Sequence, residues 1–240
     1  LITDQGRAFR VPVARIPAAE VRGRGESIAG DLGLRPDEGL ALVVADGGDA
    51  YLTLVTERGQ TRRIGAQYLG NNLRPGTALY DIKEGGPPAA AAWTTGHADL
   101  FIATASGRAI RFAERQVPLR GCLGMRVDPG DRVAGVAGVG EEDGVFLLGD
   151  DGKGTVRLLR GFSANKAPGS GVKTAMKCDH LVGVVAAPKD RTQDVFIISQ
   201  QGKIIRFALD EVPPKEGVVQ GVNCMSLRND VCTALTASGK

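Results

Sequence analysis

Five copies of one short pattern run through the chain and decide what it can fold into. Each copy has an apolar run, two polar residues, a glycine, a residue that is usually cationic, and a second apolar run carrying an arginine. The first is Ile2-Thr3-Asp4-Gln5-Gly6-Arg7-Ala8-Phe9-Arg10-Val11. The pattern returns at 54–64, 102–112 and 197–207, with a looser copy at 147–158. Glycine supplies the positive φ of a tight turn, so each copy predicts a β-hairpin. The turn glycines, Gly6, Gly59, Gly107, Gly152 and Gly202, are spaced by 53, 48, 45 and 50 residues. Strand-built repeats of about 40–50 residues have the period of propeller blades.

After each hairpin come a glycine-rich loop and two further strand-like runs, which makes four strands per repeat. The fold predicted is therefore all-β, a propeller-like ring of five four-stranded blades, with six as the alternative count. It forms one domain over 1–240, in approximate repeats 1–53, 54–101, 102–146, 147–196 and 197–235. The 34 glycines and 12 prolines suit a fold made of turns, and aromatic content of only 5% requires an aliphatic core. Asp46-Gly47-Gly48-Asp49 is predicted as the turn joining a strand pair at 39–44 and 50–55. In the looser copy Gly154 is predicted to mark a bulge that shifts Arg157 by one position. Leu235-Thr236-Ala237-Ser238-Gly239-Lys240 looks like the start of a sixth hairpin and is read as a tail. The chain opens inside a strand pattern, as a piece of a longer protein would. No run of 18 apolar residues and no signal-peptide pattern are present.

A net charge of +3 permits a polyanionic partner without requiring one. The distribution of cations is more informative. Four residues after the glycine stand Arg10, Arg63 (with Arg62 beside it), Arg111 and Arg206, and Arg157 follows one step late. Just after the glycine stand Arg7, Arg108, Lys153 and Lys203. The glycine-rich loops add Arg22, Arg24, Arg74, Arg120, Arg126, Lys166, Lys173 and Lys215. Cations in register on successive blades would place one positive cluster per blade along the rim. The planar fork of arginine suits phosphate. The competing expectation is that these residues merely solvate sheet edges.

Enzyme and metal chemistry find little support. Cys122, Cys178, Cys224 and Cys232 form no CxxC pair, and His97 and His180 are the only histidines, so free thiols and no metal site are expected. Gly169-Ser170-Gly171-Val172-Lys173-Thr174 lacks the Gly-Lys adjacency of a phosphate loop. Gly23-Arg24-Gly25 misses the dinucleotide spacing. No catalytic residue and no cofactor are predicted.

The repeat, with T/S-x-x-G-[RK]-x-x-R opening each unit and a basic R-G-x-G loop after it, resembles the C-terminal domain of bacterial type IIA topoisomerase A-type subunits. That family comprises the A chain of DNA gyrase and the C chain of topoisomerase IV. Residues 6–10, through Ile16-Pro17, to Arg22-Gly23-Arg24-Gly25-Glu26 carry it most specifically. The resemblance implies a β-pinwheel in which neighbouring units exchange strands, and a basic rim on which double-stranded DNA bends. It implies as partners the rest of the A-type polypeptide and the ATPase component of the enzyme, without a membrane, in the cytoplasm at the nucleoid. The family's catalytic tyrosine lies in another domain, so this piece is expected to cut nothing. The Q-R-R-G-G-K-G box that marks gyrase is absent, and Arg22-Gly23-Arg24-Gly25 is at best its weak relative. A propeller serving only as a protein–protein scaffold is the alternative function.

Overall fold

The computed structural model describes residues 1–239 apart from Val21, Arg22 and Arg24; Lys240 also lies outside the described residues. Five small sheets stand around a common opening. In blade 2 the hairpin strands Tyr51–Thr56 and Gln60–Gly65 pair antiparallel, with Tyr51 opposite Gly65 and Val55 opposite Thr61. Pro88–Thr94 lies inside this hairpin and Cys122–Leu123 outside it. Blade 1, from inside to outside, is Leu40–Leu42, Ile2–Thr3, Arg7–Ala8 and Thr77–Ala78. Blade 3 is Val133–Val139, Asp99–Thr104, Arg108–Ala113 and Lys173–Thr174. Blade 4 is Leu181–Ala187, Gly144–Gly149 and Lys153–Leu158, with Pro214–Lys215 and Val222–Asn223 both on its outer strand. Blade 5 has Cys232–Gly239, Gln193–Ser199 and Ile204–Ala208.

The all-β, five-bladed architecture expected from the repeats is the one observed. In units 2 to 5 the strands that follow the loop part company. The long one completes its own blade, whereas the short one crosses to the outer edge of the preceding blade. Every blade from 1 to 4 therefore holds a strand donated by the next unit.

Both faces of a blade are buried against neighbours, so its strands read as continuous apolar runs. Leu100, Ile102, Ile110 and Phe112 of blade 3 pack with Val55 of blade 2. Phe101, Ala103 and Ala109 pack on the other side with Val145 and Leu147 of blade 4. The Thr/Ser of the repeat has a local task. Thr3, Thr56 and Ser199 accept, through their hydroxyl oxygens, the N–H of the residue following the turn glycine. In blade 4, where Gly149 takes that place, Asp151 accepts from Lys153 N–H instead.

The turn glycines do more than supply a positive φ. The carbonyl oxygen of Gly59 accepts from Gly124 N–H and Met125 N–H of the donated segment. Gly107 receives Ala175 and Met176 in the same way, and Gly152 receives Cys224 and Met225. A Cβ at Gly59, Gly107 or Gly152 would overlap the carbonyl oxygen of Met125, Met176 or Met225. These are the chain's three methionines, and all three side chains are buried where the donated segment plugs into the adjoining blade.

Three expectations are corrected. The hairpin of blade 4 pairs from Gly144↔Leu158 to Leu148↔Gly154 without a register shift, so Gly154 is no bulge. The irregularity recurs instead where each inner strand begins, opposite Ile2/Thr3, Val55/Thr56, Leu148/Gly149 and Ile198/Ser199, and at Val133/Gly135 in blade 3. It turns Ala41, Ala89, Ala134, Val182 and Thr233 toward a central cavity of about 650 Å³. The runs at 39–44 and 50–55 form no hairpin: Leu40–Leu42 pairs with Ile2–Thr3, while Tyr51–Thr56 already has a partner on each side. Asp46-Gly47-Gly48-Asp49 is thus the link from blade 1 to blade 2. Residues 235–239 start no sixth hairpin; they continue the inner strand of blade 5, pairing Leu235 with Ile197 and Gly239 with Gln193.

Candidate nucleic-acid interface

The cations predicted for the rim fall into three groups. Those just after the turn glycine are engaged within the chain. Arg7 Nη1 pairs with the buried Glu38 carboxylate, which also accepts from Thr3 Oγ1 (2.6 Å) and Arg35 N–H (3.0 Å). Burial alone would push the Glu38 carboxyl pKa up, and these donors outweigh it and hold it below the ordinary value. Arg108 pairs with Asp128 and Lys153 with Asp151. Lys203 Nζ donates to the Ser226 carbonyl at 2.7 Å. Arg7, Arg108 and Lys203 fasten the loop that runs beside each turn, Lys153 stays within its own turn, and three of the four charges are matched by acids.

Three of the arginines four residues after the glycine, Arg10, Arg63 and Arg111, clasp the following unit. Arg10 Nη1 donates to Asn71 Oδ1 at 2.7 Å. Arg63 Nε donates to the Val117 carbonyl at 3.0 Å and its guanidinium lies over the Tyr51 ring. Arg111 is only 5% exposed; its Nε pairs with Asp99 at 2.8 Å, and its Nη1 donates to the carbonyls of Leu159 (3.0 Å) and Phe162 (3.2 Å). Val117 and Phe162 occupy the same place, ten residues after their turn glycine. Arg62, one position earlier, donates Nη1 to the Leu79 carbonyl of its own unit at 3.3 Å. Arg206 pairs with Asp194 of its own blade.

Arg111 and Arg157 therefore do not stand on an exposed rim. Without a bulge, Arg157 lies opposite Val145 and faces blade 3, one position removed from the clasp. It is 5% exposed, donates Nη2 to the Gly161 carbonyl at 3.2 Å and leaves Nε and Nη1 without a hydrogen-bond partner among the described residues. Burial pushes its pKa down. The clasp position of blade 4 is Val156, and a groove of about 510 Å³ opens at that seam, lined by Val156, Leu158, Leu209 and Val212.

The outer loops hold the third group. Arg74, Arg120, Arg126, Lys166, Lys173 and Lys215 are all exposed. None of the six forms an ion pair among the described residues, although Lys173 Nζ donates to Ser163. The loops are pinned to the preceding blade: Gly76 N–H donates to the Ala8 carbonyl (2.9 Å), and Asn165 N–H to the Arg111 carbonyl (2.5 Å). Arg22 and Arg24 lie outside the described residues.

Two recurring cation positions escape sequence reasoning as sets. Arg35, Arg126 and Lys177 each follow the apolar residue of a donated-type segment, and Arg126 alone of these is anticipated. Arg15, Arg115 and Arg160 lie in the 3-10 turns that close the hairpins. All six are exposed. Aligning the repeats on Met125 and Met176, rather than on the turn glycines alone, would reveal the first set. Among the described residues no group of His, Cys, Asp and Glu could hold a metal ion, and no helix is long and apolar enough to cross a membrane.

Comparison with known proteins points in one direction. Residues 1–44, 98–139 and 193–215 match the family described as DNA gyrase C-terminal domain, beta-propeller. The A chain of DNA gyrase from Staphylococcus epidermidis is 26% identical over 237 residues, covering 94% of this chain and 26% of that protein. The chain thus spans about a quarter of the length of such curated relatives. The solved DNA gyrase A C-terminal domain superposes with a TM-score of 0.79 at 18% identity, over 98% of this chain and 80% of that one. The C-terminal domain of DNA topoisomerase IV gives 0.77 at 16% identity, over 99% and 78%.

Proposed function

The chain being a relative of gyrase A C-terminal domains in sequence and in fold, we propose that it is the non-catalytic DNA-binding β-pinwheel of a type IIA topoisomerase A-type subunit. In this role it binds duplex DNA along its outer edge and bends it toward the cleavage core. The subunit's remaining domains and its ATPase partner then perform strand passage, in the cytoplasm at the nucleoid. The observation that carries the proposal is the set of exposed cations, free of ion pairs among the described residues, on successive outer loops: Arg74, Arg120 with Arg126, Lys166 with Lys173, and Lys215. Each loop is braced on the preceding blade, so its charges keep their places as a polyanion follows the edge.

The mechanism is electrostatic. Each phosphate neutralised releases counterions, which makes affinity fall steeply with salt and independent of base sequence. Bending 20–30 bp smoothly by 40–90° costs on the order of 1–6 kcal/mol. Several charge-assisted contacts on a curved edge offset that cost. Arg111 and Arg157 take no part, because their guanidinium groups are buried between blades 3 and 4.

Changing Arg74, Arg120, Lys166 and Lys215 together to Ala tests this. All four are exposed, so the fold should survive. Duplex affinity at low salt should drop, and the slope of log K against log salt should flatten by about 0.9 for each phosphate that is no longer neutralised. An unchanged slope would remove DNA from these loops.

A further inference from the structure

The clasp made by Arg63 and Arg111 is missing at one seam, and both of its halves are missing together. Tyr51, Asp99 and Asp194 stand eight residues before their turn glycines, and each contacts the arginine that follows the glycine by four. Blade 4 has Gly144 and Val156 at these two places. Neither fills the space that a guanidinium and its neighbour take elsewhere, and both line the groove of about 510 Å³ between blades 4 and 5. All the residues lining that groove fall within 142–214, away from either end of the sequence.

The acceptors of the clasp are nonetheless built. Leu209 and Val212 follow Gly202 by seven and ten residues, as Leu159 and Phe162 follow Gly152. The 3-10 turn closes alike in both units: Val212 N–H donates to the Leu209 carbonyl at 3.1 Å, and Phe162 N–H to the Leu159 carbonyl at 2.9 Å. At the seam between blades 3 and 4 the two carbonyls receive Arg111 Nη1. Among the described residues no side chain donates to the Leu209 or Val212 carbonyl. Both residues are buried, so a donor that reaches these oxygens satisfies groups shielded from water. Val156, Leu158 and Ala187 add apolar walls on which the methylene stem of a long cationic side chain can lie. Among the charged residues lining the groove, Glu142, Asp190 and Asp210 outnumber Lys189 and Arg191.

We propose that this groove receives an arginine side chain from a partner polypeptide, completing between chains the clasp that Arg63 and Arg111 make within one. The planar guanidinium carries several N–H donors in a fixed fork, which suits two carbonyl oxygens of one turn better than the compact ammonium of lysine does. The groove is thus a protein-docking point at the seam between blades 4 and 5, distinct from the cations of the outer loops.

Titration of the 240-residue chain with N-acetyl-arginine amide, followed through its backbone amide NMR signals, tests the proposal. The lysine and leucine analogues are the controls. The expected result is a set of shifts confined to 156–158 and 209–212, larger for arginine than for either analogue. Val156→Arg should abolish them, because its own side chain then takes the place. No shift at the groove, an equal response to either analogue, or shifts that persist in Val156→Arg overturns the proposal. Should Val156→Arg disturb blade 4, Val156→Met fills the groove without a guanidinium and must abolish the same shifts; their survival there overturns the proposal as well.

Discussion

Arg111→Ala is expected to destabilise the chain by about 3–5 kcal/mol, the range for removing one partner of a buried, hydrogen-bonded ion pair. Three acceptors lose their donor at once: the Asp99 carboxylate and the carbonyls of Leu159 and Phe162. The loss falls at the seam between blades 3 and 4, where Phe101 and Phe162 also meet edge to face at 5.2 Å. The urea midpoint should drop sharply, while the folded fraction keeps the salt slope of its DNA binding. A loss of under about 1 kcal/mol, the range of an exposed pair, together with a flatter salt slope, would return Arg111 to the DNA surface.

The second large effect concerns Gly59. Gly59→Ala is expected to cost about 2–5 kcal/mol, the range for removing a buried apolar side chain, added to roughly 1–2 kcal/mol of left-handed strain. The new Cβ overlaps the Met125 carbonyl oxygen, so the donated segment must leave and Met125 must come out of the core. Gly130→Ala is the matched control. Gly130 has the same φ of 83° but open space around its Cβ, so only the strain remains. Equal losses in the two variants, measured by thermal or urea unfolding, would mean that the turn glycines serve backbone conformation alone.

Much of the fold is legible in the sequence because its strongest signal is local. A hairpin needs only a turn glycine, a Thr or Ser (Asp151 in blade 4) to hold the turn, and flanking apolar runs, and each copy carries these within about a dozen residues. Their recurrence predicts five blades and leaves six as the alternative. Partnership across blades is not legible. The donated strands at 122–123 and 173–174 are two residues long, too short to show a periodicity, and their recurring Met reads as loop. The arginine register misleads for a related reason. Alternation along a strand places Arg63 and Arg111 on one face, but that face is a seam between blades rather than solvent. Regular recurrence of a cation therefore marks a recurring structural contact as readily as a recurring ligand contact. Arg74, Arg120 and Lys215 follow from the same reasoning and are exposed, because the loops beside their glycines run along the outside of the preceding blade.

The most direct test of the DNA role is the end-to-end distance of a duplex of about 150 bp, one persistence length, labelled at both ends and titrated with the chain across a salt series. The proposed role predicts binding that weakens steeply with salt and brings the duplex ends closer at saturation. Binding without shortening would contradict the bending surface, and no binding at low salt would contradict a nucleic-acid role for this chain.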